Sequence, residues 1–228
     1  MGPAEIASRL ARVREEVAEA ARQSGRDPAE VRLIAVTKRV DTARIAAAIE
    51  AGQRDFGENY VQEALGKIEQ FGPDVRWHMI GQLQSNKAAR AARFFFMIHS
   101  LASLSAARAI SRAMAAEGRQ ARVLVQIHLG GGPARGGVPA EAAEDFVRQV
   151  TGMPGILVDG VMGIAPLGEP PRPHFARLRE MLERLRELEL PNAPLRELSA
   201  GMSGDFRDAI AEGATMVRIG EAIFGPRI

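Results

Sequence analysis

The chain contains no cysteine, which removes disulfides, thiolate metal centres and thiol nucleophiles from consideration. A cysteine-free chain suits a reducing compartment, and the location expected is the cytoplasm. Aromatic residues are scarce, with one Trp and one Tyr. The single dense run, FFFMI, has no interleaved basic residues, so it reads as a buried strand rather than a platform for nucleobases. Neither sign of charge dominates: 30 Lys and Arg against 28 Asp and Glu leave +2. That balance argues against a nucleic-acid partner. No uncharged run is long enough to span a membrane. The N-terminal MGPAEIASRLARVREEVAEAARQSG has helical period without an apolar leader core, and MGPAEI lacks the Ser or Thr of a myristoylation signal. His78, His99 and His128 fall at three different strand ends without ligand spacing, so no metal site is expected.

What is present is ordinary globular material, 46% apolar and 25% charged over 228 residues, enough for a sizeable core. After the N-terminal helix, apolar runs alternate with helix-period segments. The runs are VRLIAVT (31–37), RDFGE (54–58), RWHMIG (76–81), FFFMIHS (94–100), ARVLVQIHL (121–129), ILVDGVMGI (156–164), LRELSAG (195–201) and TMVRIG (215–220). Strands rich in Val and Ile, each followed by a helix, imply a parallel sheet. Eight such units predict an α/β fold, a single (β/α)8 TIM-type barrel over residues 1–228 with an extra N-terminal helix. No GxGxxG turn follows the first run, which counts against an open dinucleotide-binding sheet. GGGPARGG (130–137) and PLGEPPRP (166–173) read as loops, and HFARLREMLERLRELEL reads as an outer helix with a Leu seam and a solvated face.

In such a barrel, function sits at the C-terminal ends of the strands. Lys38 stands at the end of the first, where it is either a solvated rim lysine or an amine kept near neutrality for Schiff-base chemistry. The turn in VRIGEAIFG offers the backbone N–H groups of Gly220 and Glu221 to an anion. In SAGMSGDF, Ser199 or Ser203 can add a hydroxyl, and the glycines permit close approach. Taken singly, each of these reads first as a turn glycine or a cap serine. Arg218 lies in a strand among Met216, Val217 and Ile219, where a guanidinium requires an acceptor. Together the set suits a flat phosphorylated aldehyde, and pyridoxal 5′-phosphate (PLP) is the natural candidate.

The motifs AVTK (35–38), FGENYVQEA (56–64), WHMIGQLQSNK (77–87), SAGMSGDF (199–206) and GATMVRIGEAIFG (213–225) occur in this order along nearly the whole chain. They resemble the YggS/PROSC group of PLP homeostasis proteins, which look like the barrel half of alanine racemase. The resemblance implies that Lys38 carries PLP as an aldimine and that Asn59 lies beside it. It also implies that Ser203, Gly220 and Glu221 contact the phosphate and that Arg218 faces the pyridine nitrogen. The chain departs from the group's usual pattern at Lys38-Arg39-Val40-Asp41 and in the loop carrying His128 and Arg135. The function implied is that of a non-catalytic carrier or buffer of PLP. Apo-PLP enzymes would be the recipients, and the state a monomer or weak dimer. The rival reading is a PLP-dependent amino-acid racemase. It is disfavoured because the alanine racemases draw a second base, a tyrosine, across a dimer with help from a β domain. The only tyrosine here is Tyr60, and no such domain is expected after the eighth unit.

Overall fold

The structure is a computed structural model and describes residues 1–130 and 136–226. A helix, α1 (Pro3–Gln23), leads into eight strand–helix units. They are β1 (Arg32–Val36) and α2 (Thr42–Glu50), β2 (Asp55–Glu58) and α3 (Val61–Phe71), β3 (Arg76–Met79) and α4 (Ser85–Phe94), and β4 (Met97–Leu101) and α5 (Leu104–Ala116). The second half comprises β5 (Ala121–Gln126) and α6 (Ala143–Thr151), β6 (Ile156–Met162) and α7 (Pro171–Glu187), β7 (Glu197–Ser199) and α8 (Phe206–Ala211), and β8 (Met216–Ile219) and α9 (Glu221–Phe224). All neighbouring strands are parallel, and β8 pairs back onto β1 from Arg32↔Met216 to Ala35↔Ile219, closing the barrel. This is the (β/α)8 architecture that the alternating runs predict.

The strands are short and buried on both faces, so two apolar regions form. Outside the barrel, helix faces pack on strand residues in one continuous core around Trp77, Phe56 and Phe175. Inside, a separate plug of Ile34, Met97, Leu124, Met162 and Met216 fills the middle of the barrel. The N-terminal end of the barrel is shut by charge. Arg76 grips Asp55 with Nε at 2.9 Å and Nη2 at 2.6 Å, Arg122 pairs with Asp159, and Arg32 lies 3.7 Å from Glu197. The Phe96 ring sits between Arg76 and Arg122, whose guanidinium carbons are 5.7 and 4.9 Å from its centroid.

Helix α1 buries Ile6, Leu10, Val13 and Val17 at helical spacing. It lies across α2, α8 and α9, so it bridges the first and last units of the closed ring. Caps set the starts of two helices: Asp41 accepts from the Arg44 N–H at 2.9 Å, and Ser103 accepts from that of Ala106 at 3.3 Å.

The FFFMIHS run departs from the strand predicted for it. Phe94 ends α4 and is half exposed, Phe95 is a buried cap, Phe96 belongs to the connection, and β4 begins only at Met97. The cause is the preceding helix, whose Ala88, Ala91 and Ala92 face the barrel and carry the helical register into the phenylalanines. Part of the predicted 130–137 loop, including Arg135, lies outside the described residues. On either side of it, Ile127 and Val138 form a parallel bridge. Among the described residues, no helix is long and apolar enough to cross a membrane, and none of their His, Asp and Glu side chains cluster to hold a metal.

Candidate functional site

At the C-terminal ends of the strands a cavity of about 310 Å³ opens between β1, β2, β7 and β8. Lys38, Asn59, Ser203, Arg218, Gly220 and Glu221 line it, with Val36, Ile80, Ile164 and Met202 as apolar walls. Six of the seven residues singled out from sequence therefore meet in one place. The seventh, Ser199, is fully buried and does not line the cavity; its Oγ accepts from Nη1 of Arg218 at 2.7 Å. Its position behind the arginine is a tertiary fact that the SAGMS spelling does not encode.

Lys38 sits in a turn closed by the Val40 N–H donating to the Thr37 carbonyl at 3.0 Å. Residue 39 takes φ 58° there, a left-handed conformation that costs a non-glycine residue about 1 kcal/mol. The turn is braced from below. Lys67 Nζ donates to Glu58 Oε1 at 2.6 Å, to Glu63 Oε1 at 2.7 Å and to the Thr37 carbonyl at 2.8 Å. The Thr37 hydroxyl donates to Glu58 Oε1 at 2.6 Å, and the Arg39 N–H donates to Glu63 Oε1 at 2.7 Å. Burial pushes the Glu58 carboxyl above its ordinary range despite Lys67 and Thr37, and its Oε2 is buried without a partner. None of these four bracing residues was singled out from the sequence. The signal available was Glu58, Glu63 and Lys67 in GENYVQEALGK, where Glu63 and Lys67 share a helix face.

Opposite the lysine, two turns present backbone donors. Gly201 takes φ 89°, and a Cβ there would lie 2.8 Å from the Phe206 Cα, so only glycine makes this turn. The Met202 N–H donates to Asp205 Oδ1 at 2.6 Å, and the Phe206 N–H donates to the Met202 carbonyl at 2.9 Å. Those bonds close the turn without using the N–H groups of Ser203 and Gly204. Among the described residues, the N–H groups of Gly220 and Glu221 likewise take no main-chain acceptor. Gly220 is pressed against β1, where a Cβ would stand 3.0 Å from the Val36 carbonyl oxygen. Ser203, Gly204, Gly220 and Glu221 all line the cavity, so two loops bring four backbone N–H groups and one hydroxyl to its wall, an arrangement suited to an anion.

Arg218 forms the floor. It is 4% exposed, donates from Nη2 to the Gly163 carbonyl at 3.0 Å, and its pKa is lowered by burial to about 10, with Asp205 opposing the shift. It remains a cation at neutral pH. The Asn59 Oδ1 is buried with no partner. A neighbouring recess shares Asn59 and is lined by Tyr60, Gln82, Gln84 and Lys87. Tyr60 is half exposed there and does not line the first cavity.

The closed barrel and the cavity shared by a strand-end lysine and two glycine turns have counterparts among known proteins. The family model described as alanine racemase, N-terminal domain, matches residues 8–227. The chain is 42% identical over 226 residues to the pyridoxal phosphate homeostasis protein of Pseudomonas aeruginosa, covering 97% of this chain and 96% of that one. It is 40% identical over 228 residues to the protein of that name from Escherichia coli K12, covering 98% and 97%, and it belongs to the family of pyridoxal phosphate homeostasis proteins. Among solved structures, PipY of Synechococcus elongatus PCC7942 with PLP bound superposes with a TM-score of 0.85 at 37% identity, covering 96% of this chain and all of PipY. The alanine racemase of Streptomyces coelicolor A3(2) superposes with a TM-score of 0.75 at 23% identity over 99% of this chain and 59% of its own, a likeness of fold.

Proposed function

We propose that the chain binds PLP through Lys38 and acts in PLP homeostasis as a carrier or buffer of the cofactor rather than as an enzyme. The observation that carries this reading is the meeting, in one cavity, of a lysine, the backbone N–H groups of two glycine turns and a buried guanidinium that, among the described residues, has no ion pair. The residues fit the group. A cavity of about 310 Å³ lies within the range of small-ligand sites, from about 300 Å³ upward. The Gly220 and Glu221 N–H groups, without a main-chain acceptor among the described residues, and the orphaned Asn59 Oδ1 match a phosphate and a polar ring edge. The PLP homeostasis relatives and the PLP-bound PipY structure support the reading.

When bound, PLP supplies an aldehyde for an amine to trap and a phosphate for backbone donors to hold. Lys38 offers the amine from a turn that Lys67, Glu58 and Glu63 hold rigid. The Ser203 hydroxyl and the Gly220 and Glu221 N–H groups take the phosphate. Glu221 is exposed, which lets its carboxylate turn to water. Arg218 would offer a donor to the ring nitrogen and keep its own proton, and the ring would then be a weak electron sink. Val36, Ile80, Ile164 and Met202 exclude water from the ring faces.

A racemase needs a base on each face of its substrate, and the chain's one tyrosine stands in the neighbouring recess instead. The carrier operates in the cytoplasm as a monomer or weak dimer and passes PLP to apo-enzymes.

The test exploits the fact that the chain has only three lysines, Lys38, Lys67 and Lys87. Borohydride reduction of PLP-loaded protein followed by peptide mass mapping should place the phosphopyridoxyl group on Lys38. Finding it on Lys67 or Lys87 instead would overturn the site. Incubation of the unreduced protein with L-alanine should yield no D-alanine at ordinary enzymatic rates, on the order of 1 per second, and turnover at that rate would restore the racemase.

A further inference from the structure

Arg218 holds its charge in the barrel interior without an ion pair to any described residue. What stands behind it is a row of hydrogen bonds running down the barrel axis. Arg218 Nη1 is 2.7 Å from Ser199 Oγ, Ser199 Oγ is 2.9 Å from His99 Nδ1, His99 Nε2 is 2.9 Å from His78 Nδ1, and His78 Nε2 is 3.0 Å from Asp55 Oδ1. Asp55 is the first residue of β2 and lies at the closed, N-terminal end of the barrel, where Arg76 grips it from the rim. Five strands contribute one residue each, and His78, His99 and Ser199 are fully buried.

The bonding rules allow this row one sense in its neutral form. Arg218 only donates, so Ser199 Oγ accepts from it and is free to donate its own proton to Nδ1 of His99. His99 then carries its proton on Nε2 and donates to Nδ1 of His78, and His78 carries its proton on Nε2 and donates to the carboxylate. The reverse sense would aim a bare His78 Nε2 at the Asp55 carboxylate, two acceptors face to face, unless His78 were charged. The charged groups around the histidines are Arg32 from β1, Asp55 from β2, Arg76 from β3 and Arg218 from β8, with Glu197 of β7 beside Arg32. Burial keeps both imidazoles below their ordinary pKa, His99 the more strongly because His78 and two arginines add to it. Burial also pushes Asp55 upward, but the bonds from His78 and Arg76 hold it below the usual carboxylate range. Geometry and burial together favour the neutral, single-sense row near pH 7.

We propose that Ser199, His99, His78 and Asp55 are positioning residues for the cofactor. Their one-way row fixes the rotation of the Arg218 guanidinium, and therefore the donor aimed at the ring nitrogen, and it ties that donor to a carboxylate at the opposite end of the barrel. The proposal rests on the PLP reading for what Arg218 faces; the row itself does not.

Two measurements separate these dependences. Long-range ¹H–¹⁵N spectra of the cofactor-free protein, assigned by difference against His99→Gln, should show His78 and His99 both neutral with the proton on Nε2 at about pH 7. A proton on Nδ1 of either ring, or a charged imidazole, would break the row whatever the protein binds. The second measurement compares PLP with its 1-deaza analogue, in which a C–H replaces the ring nitrogen. His99→Leu should weaken PLP binding about tenfold, the scale of one hydrogen bond, while leaving the analogue unchanged. His99→Gln, which can accept from Ser199 and donate to His78, should restore most of the loss. Equal losses for both ligands would mean that His99 acts only through the fold, and would overturn the positioning role. Failure of the wild-type protein to take up PLP would sink the cofactor reading and the positioning role together, and the spectra would still decide whether the row exists.

Discussion

Lys38 occupies a position that sequence and structure describe in different terms. In the sequence it is a cation at the end of an apolar run. In the structure it rides on a turn whose carbonyl, N–H and hydroxyl are all engaged by one buried Lys–Glu cluster. The residues that touch the cavity were legible because each is a chemical oddity in its element: a lysine ending a strand, an arginine inside one, glycines where helices begin. The residues that hold them were not. Thr37, Glu58 and Lys67 look like ordinary polar members of strands and helices, and His78 and His99 read as separate strand ends; only the fold joins the first three across 9 to 30 positions and links His99 to Ser199 across 100. At this scale the sharpest expectation concerns Ser203, whose hydroxyl is the one side-chain donor the anion cradle offers. Ser203→Ala should weaken PLP by one charge-assisted hydrogen bond, about 1.5–3 kcal/mol or roughly ten- to a hundredfold. Pyridoxal, lacking the phosphate, should bind the wild-type protein far more weakly and show no further loss in the variant. Fluorescence titration of both ligands checks this, and a Ser203→Ala effect of equal size on pyridoxal would remove Ser203 from the phosphate site.

Among the elements, the eight strand–helix units were readable because apolar runs of strand length and segments of helical period alternate without exception. The Phe94–Phe96 boundary was not readable, since an aromatic run satisfies either a strand or the end of an amphipathic helix until something packs against it. Close approach between strands was equally hidden. Gly160 pairs with Glu197, and a Cβ on it would fall 1.8 Å from the Glu197 carbonyl oxygen, a backbone atom unable to move aside. Gly160→Ala should therefore part β6 from β7 and destabilise by about 3 kcal/mol or more. Gly66 is the contrast. It lies exposed inside α3, with nothing within 4 Å of a built Cβ, and it lacks a positive φ. Gly66→Ala should stabilise by about 0.5–1 kcal/mol through helix propensity alone. Urea unfolding of the two variants checks both signs, and a tolerated Gly160→Ala would contradict the strand register.

For the whole molecule, the closed barrel takes two imidazoles out of water and keeps them neutral, and this makes stability a function of pH. His78 and His99 both have folded pKa values below 6.5 because burial penalises the charged ring. Below about pH 6.5 the unfolded chain therefore binds more protons than the folded one, so stability is lost on acidification, by up to about 1.4 kcal/mol per pH unit for each histidine. Asp55, held below its ordinary 3.8, adds a second loss in the same direction as pH falls through its folded value. Glu58 acts the other way. Its folded pKa is raised above 4.5, so it favours the folded state on acidification between its folded value and about 4.5, which flattens the curve there. The steepest net decline should fall where only the histidines act, just below pH 6.5 and above the folded value of Glu58. Urea unfolding at about pH 7.5, 6 and 5 should show this decline in the wild-type protein, and His99→Gln, which cannot take up a proton, should lose a corresponding share of the slope while retaining the fold. A wild-type curve flat from pH 7.5 to 5 would mean that the imidazoles titrate in the folded barrel as they do in the unfolded chain, and a stability that rises on acidification through pH 6.5 would mean that they are already charged when folded; neither is compatible with a neutral row of hydrogen bonds along the axis.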